Sequence, residues 1–188
     1  MKGDPQRVKR AAEAVGEEVE GQTSTKMQGM AGDLLQKGQI PKDLLGINEA
    51  MMEGIYGQAY RLYNTGKYRD ACQLFRLLIM LNASESKYTM GLAACFHMLK
   101  EFRNAVGTYS LCGMLDPENP IPHFHASDCY IQMGDMMAAL IALEMAVKRS
   151  GNKQQYATLK DRALLTMQSL RKEIAEGEGM KKGNAGNI

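Results

Sequence analysis

GKYRDACQLF at residues 66–75, KEFRNAVGTY at 100–109 and GDMMAALIAL at 134–143 superpose without a gap when the chain is slid along itself by 34 residues. The aligned columns hold Tyr68, Phe102 and Met136, then Ala71, Ala105 and Ala139, then Phe75, Tyr109 and Leu143. Steps of three and four between these columns put them on one helix face. A repeat of this length is a pair of helices joined by a turn, and one such pair cannot bury its apolar face alone. Stacking three pairs predicts an all-α, right-handed solenoid whose concave surface holds an extended segment of another chain.

The spacing is that of the tetratricopeptide repeat, and its register divides the chain into repeats over residues 52–85, 86–119 and 120–153. In each repeat the first helix meets the second through small residues: Ala59 with Ala71, Ala93 with Ala105, and Ser127 with Ala139. The turns between paired helices fall near Gly66, Lys100 and Gly134, of which the glycines accept positive φ and Lys100 departs from the pattern. The closing proline of a repeat appears in Asp116-Pro117 but is replaced by Ala83 and Gly151, so the middle repeat is the most typical. Asn48 reads as an N-cap. Residues 27–51 form an N-terminal helical segment, with a stripe of Met27, Met30, Leu34 and Leu35 stopping at Gly38. Residues 1–26 lack large apolar side chains and read as a flexible tail. Beyond the repeats, Tyr156, Leu159, Ala163, Met167, Leu170 and Ile174 mark a capping helix over 154–176. The four glycines of 177–188 predict a disordered tail.

Charge and composition narrow the function. The 23 basic and 21 acidic residues are spread along the chain, without the one-sided basic block that displaces counterions from nucleic acid, so no nucleic-acid partner is expected. The charged start lacks the apolar core of about 7–15 residues that a secretory signal needs, and a cytosolic protein is expected. The longest apolar run, Met136 to Leu143, falls far short of the roughly 20 residues that cross a bilayer, so no direct membrane insertion is expected. Cys72, Cys95, Cys112 and Cys129 have no CxxC spacing and read as small buried hydrophobes. His123, His125 and Cys129 are the most metal-like group, but zinc needs a fourth ligand that the neighbourhood does not supply, so no metal or other cofactor is expected. No GxxxxGK[ST] or GxGxxG loop is present, and no nucleophile or carboxylate stands at a fixed spacing from His97. The chain does not read as an enzyme.

The register also assigns a binding face. Ile55, Ala59 and Leu62 point at the second helix of repeat 1, so Tyr56, Tyr60 and Tyr63 lie about 100° further round. Such an aromatic strip covers apolar or proline side chains while its hydroxyls bond a partner's backbone. The equivalent positions are Met90, Ala94 and His97 in repeat 2, and Phe124, Asp128 and Ile131 in repeat 3. Two other occupants fit the same strip: the 27–35 helix of this chain and a second subunit. Several of the 15 methionines fall in or beside the repeats, and a share of them is expected in the groove, where flexible thioethers accommodate varied apolar partners.

With these residues in view, the chain resembles the class II type III secretion chaperones, tetratricopeptide proteins that hold the hydrophobic translocators of a bacterial injection apparatus. The resemblance spans about Leu34 to Leu170 and is carried by IYGQAY at 55–60, GKYRDA at 66–71, MGLAAC at 90–95 and FHASDC at 124–129. It implies a homodimer formed through the N-terminal helices, with Met27, Met30, Leu34 and Leu35 as the contact stripe. It also implies a translocator segment with spaced proline and leucine anchors, held in the bacterial cytoplasm by Tyr56, Tyr60, Tyr63, Tyr68, Met90, Phe124 and His125, with support from Leu92 and Phe96. A general tetratricopeptide adaptor is the alternative. The carboxylate-binding kind needs a Lys, Asn and Arg clamp, whereas the corresponding positions here are Tyr56, Tyr60, Gly91, Ile121 and His125.

Overall fold

The computed structural model describes residues 46–185, and every regular element among them is helical. The elements are α1 (Glu49–Asn64), α2 (Tyr68–Leu81), α3 (Ser86–Met98), α4 (Phe102–Leu115), α5 (Ile121–Gln132) and α6 (Met136–Ser150). A 3-10 turn (Gln154–Tyr156) leads into α7 (Ala157–Ala185). Each of the seven helices packs on its neighbours in the chain, with α1 also touching α3 and α5 touching α7. This is the connectivity of a stacked helical array.

Local chemistry sets the helix ends. The Asn48 side chain accepts a hydrogen bond from the Met51 N–H at 2.9 Å, the N-cap expected of it. Asp135 does the same for α6, accepting from the Ala138 N–H at 3.0 Å. Three turns close alike: the N–H groups of Lys67, Glu101 and Asp135 donate to the carbonyls of Leu62, Phe96 and Tyr130, each at 2.9 Å. Such a closure demands a left-handed residue just before the donor. Gly66 and Gly134 supply it at φ 78° and 76°, and Lys100 adopts it at 60°. The repeat geometry thus overrides a side-chain preference, at a cost of about 1–2 kcal/mol.

The packing follows the register. Ala59, Ala71, Ala93, Ala105, Ser127 and Ala139 are all 0% exposed, so the paired helices meet backbone to backbone. Phe75, Tyr109 and Leu143 are buried beside these contacts. The four cysteines are buried and free, and burial pushes the Cys95 thiol up to about 12 and those of Cys112 and Cys129 up to about 11. They are packing residues, unable to form thiolate near neutral pH.

Ala163, Met167 and Leu170 of α7 are buried against α6, closing the end of the array. Two boundaries differ from expectation. The helix starts at Ala157 after the 3-10 turn, and it continues through Ala185, past the point where a disordered tail is predicted from the glycines. An interior glycine costs a helix about 1 kcal/mol relative to alanine, and the intervening Glu, Met and Lys are good helix formers. Residues 1–26 and the stripe of Met27, Met30, Leu34 and Leu35 lie outside the described residues.

Candidate binding groove

The first helices of successive repeats, α1, α3 and α5, bring the aromatic strip and its register partners together. Tyr56 and Tyr60 stack with ring centroids 6.5 Å apart, and Tyr56 also meets Phe75 edge-on at 6.1 Å and Tyr88 at 5.8 Å. Tyr63 meets Tyr68 edge-on at 5.4 Å. Tyr56 and Tyr63 are half-buried, whereas Tyr60 is 54% exposed and supports little of the core. Burial raises the Tyr63 hydroxyl above its ordinary pKa, so it stays a hydrogen-bond donor.

Between α1 and α3 lies a cavity of about 210 Å³. Tyr56, Tyr60 and Tyr63 form one wall, Met90, Gly91 and Ala94 the other, and Phe75 of α2 lies between them. An apolar cavity of about 150 Å³ takes a benzene molecule, so this one has room for a leucine or proline side chain. Lys87 adds the one charge among the lining residues; its ammonium lies 5.0 Å from the Tyr56 ring centre and pairs with Glu53 at 2.6 Å.

Five residues placed in the groove by register therefore line the cavity: Tyr56, Tyr60, Tyr63, Met90 and Ala94. Tyr68 borders it through Tyr63. Leu92 and Phe96 do not belong to the lining. Each is 8% exposed and packed in the core, on helix positions that face the neighbouring helices, with the Arg76 guanidinium 5.6 Å from the Phe96 ring centre. Phe124 and Ile131 pack mainly on the α6–α7 cluster, and the Arg162 guanidinium lies 5.6 Å from the Phe124 ring centre. His97, His125 and Asp128 form a half-buried group one repeat further along. The exposed methionines, Met51, Met80, Met98, Met114, Met133 and Met137, are absent from the cavity lining, where Met90 alone represents that residue type.

Phe75 and Lys87 are lining residues outside the groove assignment, Phe75 because the register makes it a packing residue, and Gly91 enters that assignment only as a position where the carboxylate clamp is missing. The available signal was Gly91, a glycine inside a helix, since such a residue marks close approach by something else. A Cβ there would collide with the Phe75 ring, meeting Cδ1 at 2.8 Å and two further ring atoms closer still. One repeat along, Tyr109 stands in register with Phe75 and His125 with Gly91, and these two rings stack at 5.7 Å and 22°. At the second junction an imidazole thus packs on the ring, where at the first the Phe75 ring lies directly against the glycine.

The metal-like trio separates. His123 packs against Gly113, and its pKa is lowered first by burial and then by Arg149, whereas His125 faces His97 and Tyr109. Among the described residues no three His, Cys, Asp or Glu side chains are placed to hold a metal ion, and no helix is long and apolar enough to cross a membrane.

Stacked helical hairpins with an aromatic cavity on the α1–α3 face define a tetratricopeptide-repeat protein, and the tetratricopeptide repeat model matches residues 52–84 and 86–119. The chain belongs to the class II type III secretion chaperones. It is 30% identical to the chaperone protein SicA of Salmonella typhimurium over 142 residues, 76% of this chain and 84% of that protein. The type III secretion translocator chaperone SycD of Yersinia enterocolitica superposes with a TM-score of 0.64 at 29% identity, covering 68% of this chain and 96% of that one. PcrH of Pseudomonas aeruginosa, solved in complex with the chaperone binding region of PopD, gives 0.66 at 28% identity over 68% of this chain and 96% of that one.

Proposed function

We propose that this protein is a type III secretion chaperone. In the bacterial cytoplasm it holds an extended, apolar segment of a translocator in its concave groove, preventing aggregation or insertion into the wrong membrane before secretion. The cavity between the tyrosine strip and Gly91 carries this assignment, because it has the size and apolar walls to take a leucine or proline anchor. Masking is stoichiometric binding of exposed apolar surface and involves no catalytic step. The likeness to PcrH, solved with a segment of PopD, supports the same choice of client.

Co-expression with a type III translocator, followed by pull-down and circular dichroism, tests the assignment. Tyr60→Ala is expected to weaken the complex about 30-fold, as loss of an aromatic hot spot does, with helicity unchanged because Tyr60 is largely exposed. Unchanged binding at native helicity would remove the groove from consideration. The same proposal includes a homodimer joined through Met27, Met30, Leu34 and Leu35. Light scattering on a chain lacking residues 1–38 is expected to show a shift from dimer toward monomer, and an unchanged mass would refute that contact.

A further inference from the structure

One repeat beyond the cavity, three polar side chains occupy the positions that apolar ones hold at the first junction. Shifted by one 34-residue repeat, Asp128 stands where Ala94 does, His97 where Tyr63 does and His125 where Gly91 does. The three share a neighbourhood: His97 and His125 lie 6.4 Å apart between ring centres, and Asp128 interacts electrostatically with both. The surroundings are the Tyr109 ring from α4, stacked on His125, and Phe124 beside it, with Arg162 of α7 facing both Asp128 and His125.

All three side chains are half-buried, and none makes a hydrogen bond or ion pair to any described residue. None of their nitrogen or oxygen atoms is among the fully buried ones that lack a partner, so they stay open to solvent in the free protein and are available to pair with a segment that displaces that water. Burial raises the Asp128 carboxyl above its ordinary value against the pull of His125, His97 and Arg162, and lowers the His125 imidazole below its own against the pull of Asp128.

We propose that His97, His125 and Asp128 form a polar subsite that pairs with an amide group of the bound translocator segment. This rests on the groove assignment and adds a second anchoring chemistry to it. A carboxylate accepts only, while a neutral imidazole donates from one nitrogen. An amide matches both, its N–H donating to Asp128 and its C=O accepting from an imidazole N–H. A segment laid in a groove loses water from its own amides, which must then find partners. The first-junction cavity offers mainly apolar walls, so it takes a side chain, and the second junction satisfies the amide. That amide comes from the main chain or from an Asn or Gln side chain.

Binding of the co-expressed translocator to full-length Asp128→Ala, Asp128→Asn and Tyr60→Ala chaperones, with melting of each free variant, tests the subsite. Asp128→Ala is expected to weaken the complex about tenfold, and Asp128→Asn by less because it keeps one acceptor. Both should melt close to the wild-type temperature, since the burial that disfavours the carboxylate opposes its attraction to His125, His97 and Arg162. A lowered melting temperature alongside weaker binding would make Asp128 structural and overturn the subsite. If Tyr60→Ala weakens binding while both Asp128 variants bind like wild type, the subsite falls and the groove stands; if all three bind normally, both fall. Alanine replacement of each Asn and Gln in the bound segment then separates the sources, a loss at one position assigning the side-chain amide and retention throughout assigning the main chain.

Discussion

Gly91→Ala is expected to destabilise the free protein and abolish translocator binding together. The new methyl group enters the Phe75 ring, which is 2% exposed and in edge-on contact with Tyr56. Overpacking of this kind costs about 1–3 kcal/mol, of which the better helix propensity of alanine returns up to about 1. The ring can relieve the collision by moving toward the cavity it lines, which fills the space meant for the client's side chain. Urea unfolding read by circular dichroism measures the first effect, and pull-down of the co-expressed translocator measures the second. Wild-type stability with wild-type binding would show that Phe75 and Gly91 do not form the contact described.

Phe75→Ala is expected to be the more damaging change, at about 3–5 kcal/mol for truncating a buried phenylalanine. Small domains have only about 5–15 kcal/mol in total, so the variant should unfold well below the wild-type urea midpoint. The sharper test combines the two substitutions. Once the ring is gone, alanine at 91 has nothing to strike, and Gly91→Ala should become neutral or stabilising by up to about 1 kcal/mol through helix propensity alone. A Gly91→Ala penalty of equal size with and without Phe75 would contradict the packing at this junction, because residues in contact are expected to couple.

Much of the architecture was legible in the residue order. The small pairs Ala59–Ala71, Ala93–Ala105 and Ser127–Ala139 and the large residues Phe75, Tyr109 and Leu143 all occupy the buried positions assigned from the register. The capping stripe of Ala163, Met167 and Leu170 is buried too. Leu92 and Phe96 were harder. Both fall on the same helix as Met90 and Ala94, and apolar character alone does not say whether a side chain points into a groove or into the adjoining core. Lys100 shows the reverse case, where a residue unsuited to positive φ adopts it because Glu101 N–H must reach the Phe96 carbonyl.

By itself the amino-acid sequence determined the repeat length, the pairing of helices, the face carrying Tyr56, Tyr60 and Tyr63, and the family resemblance. These follow from the 3.6-residue helical period and its multiplication by three, both local or strictly periodic properties. Only the tertiary structure decided that a cavity opens at the first junction against Phe75 and Gly91 and that a histidine stacks on Tyr109 at the second. That outcome depends on Phe75 of α2 meeting glycine on α3 and Tyr109 of α4 meeting histidine on α5. Whether such a meeting leaves a cavity is set by side-chain volumes across a three-dimensional contact, which the periodicity of the residues does not encode.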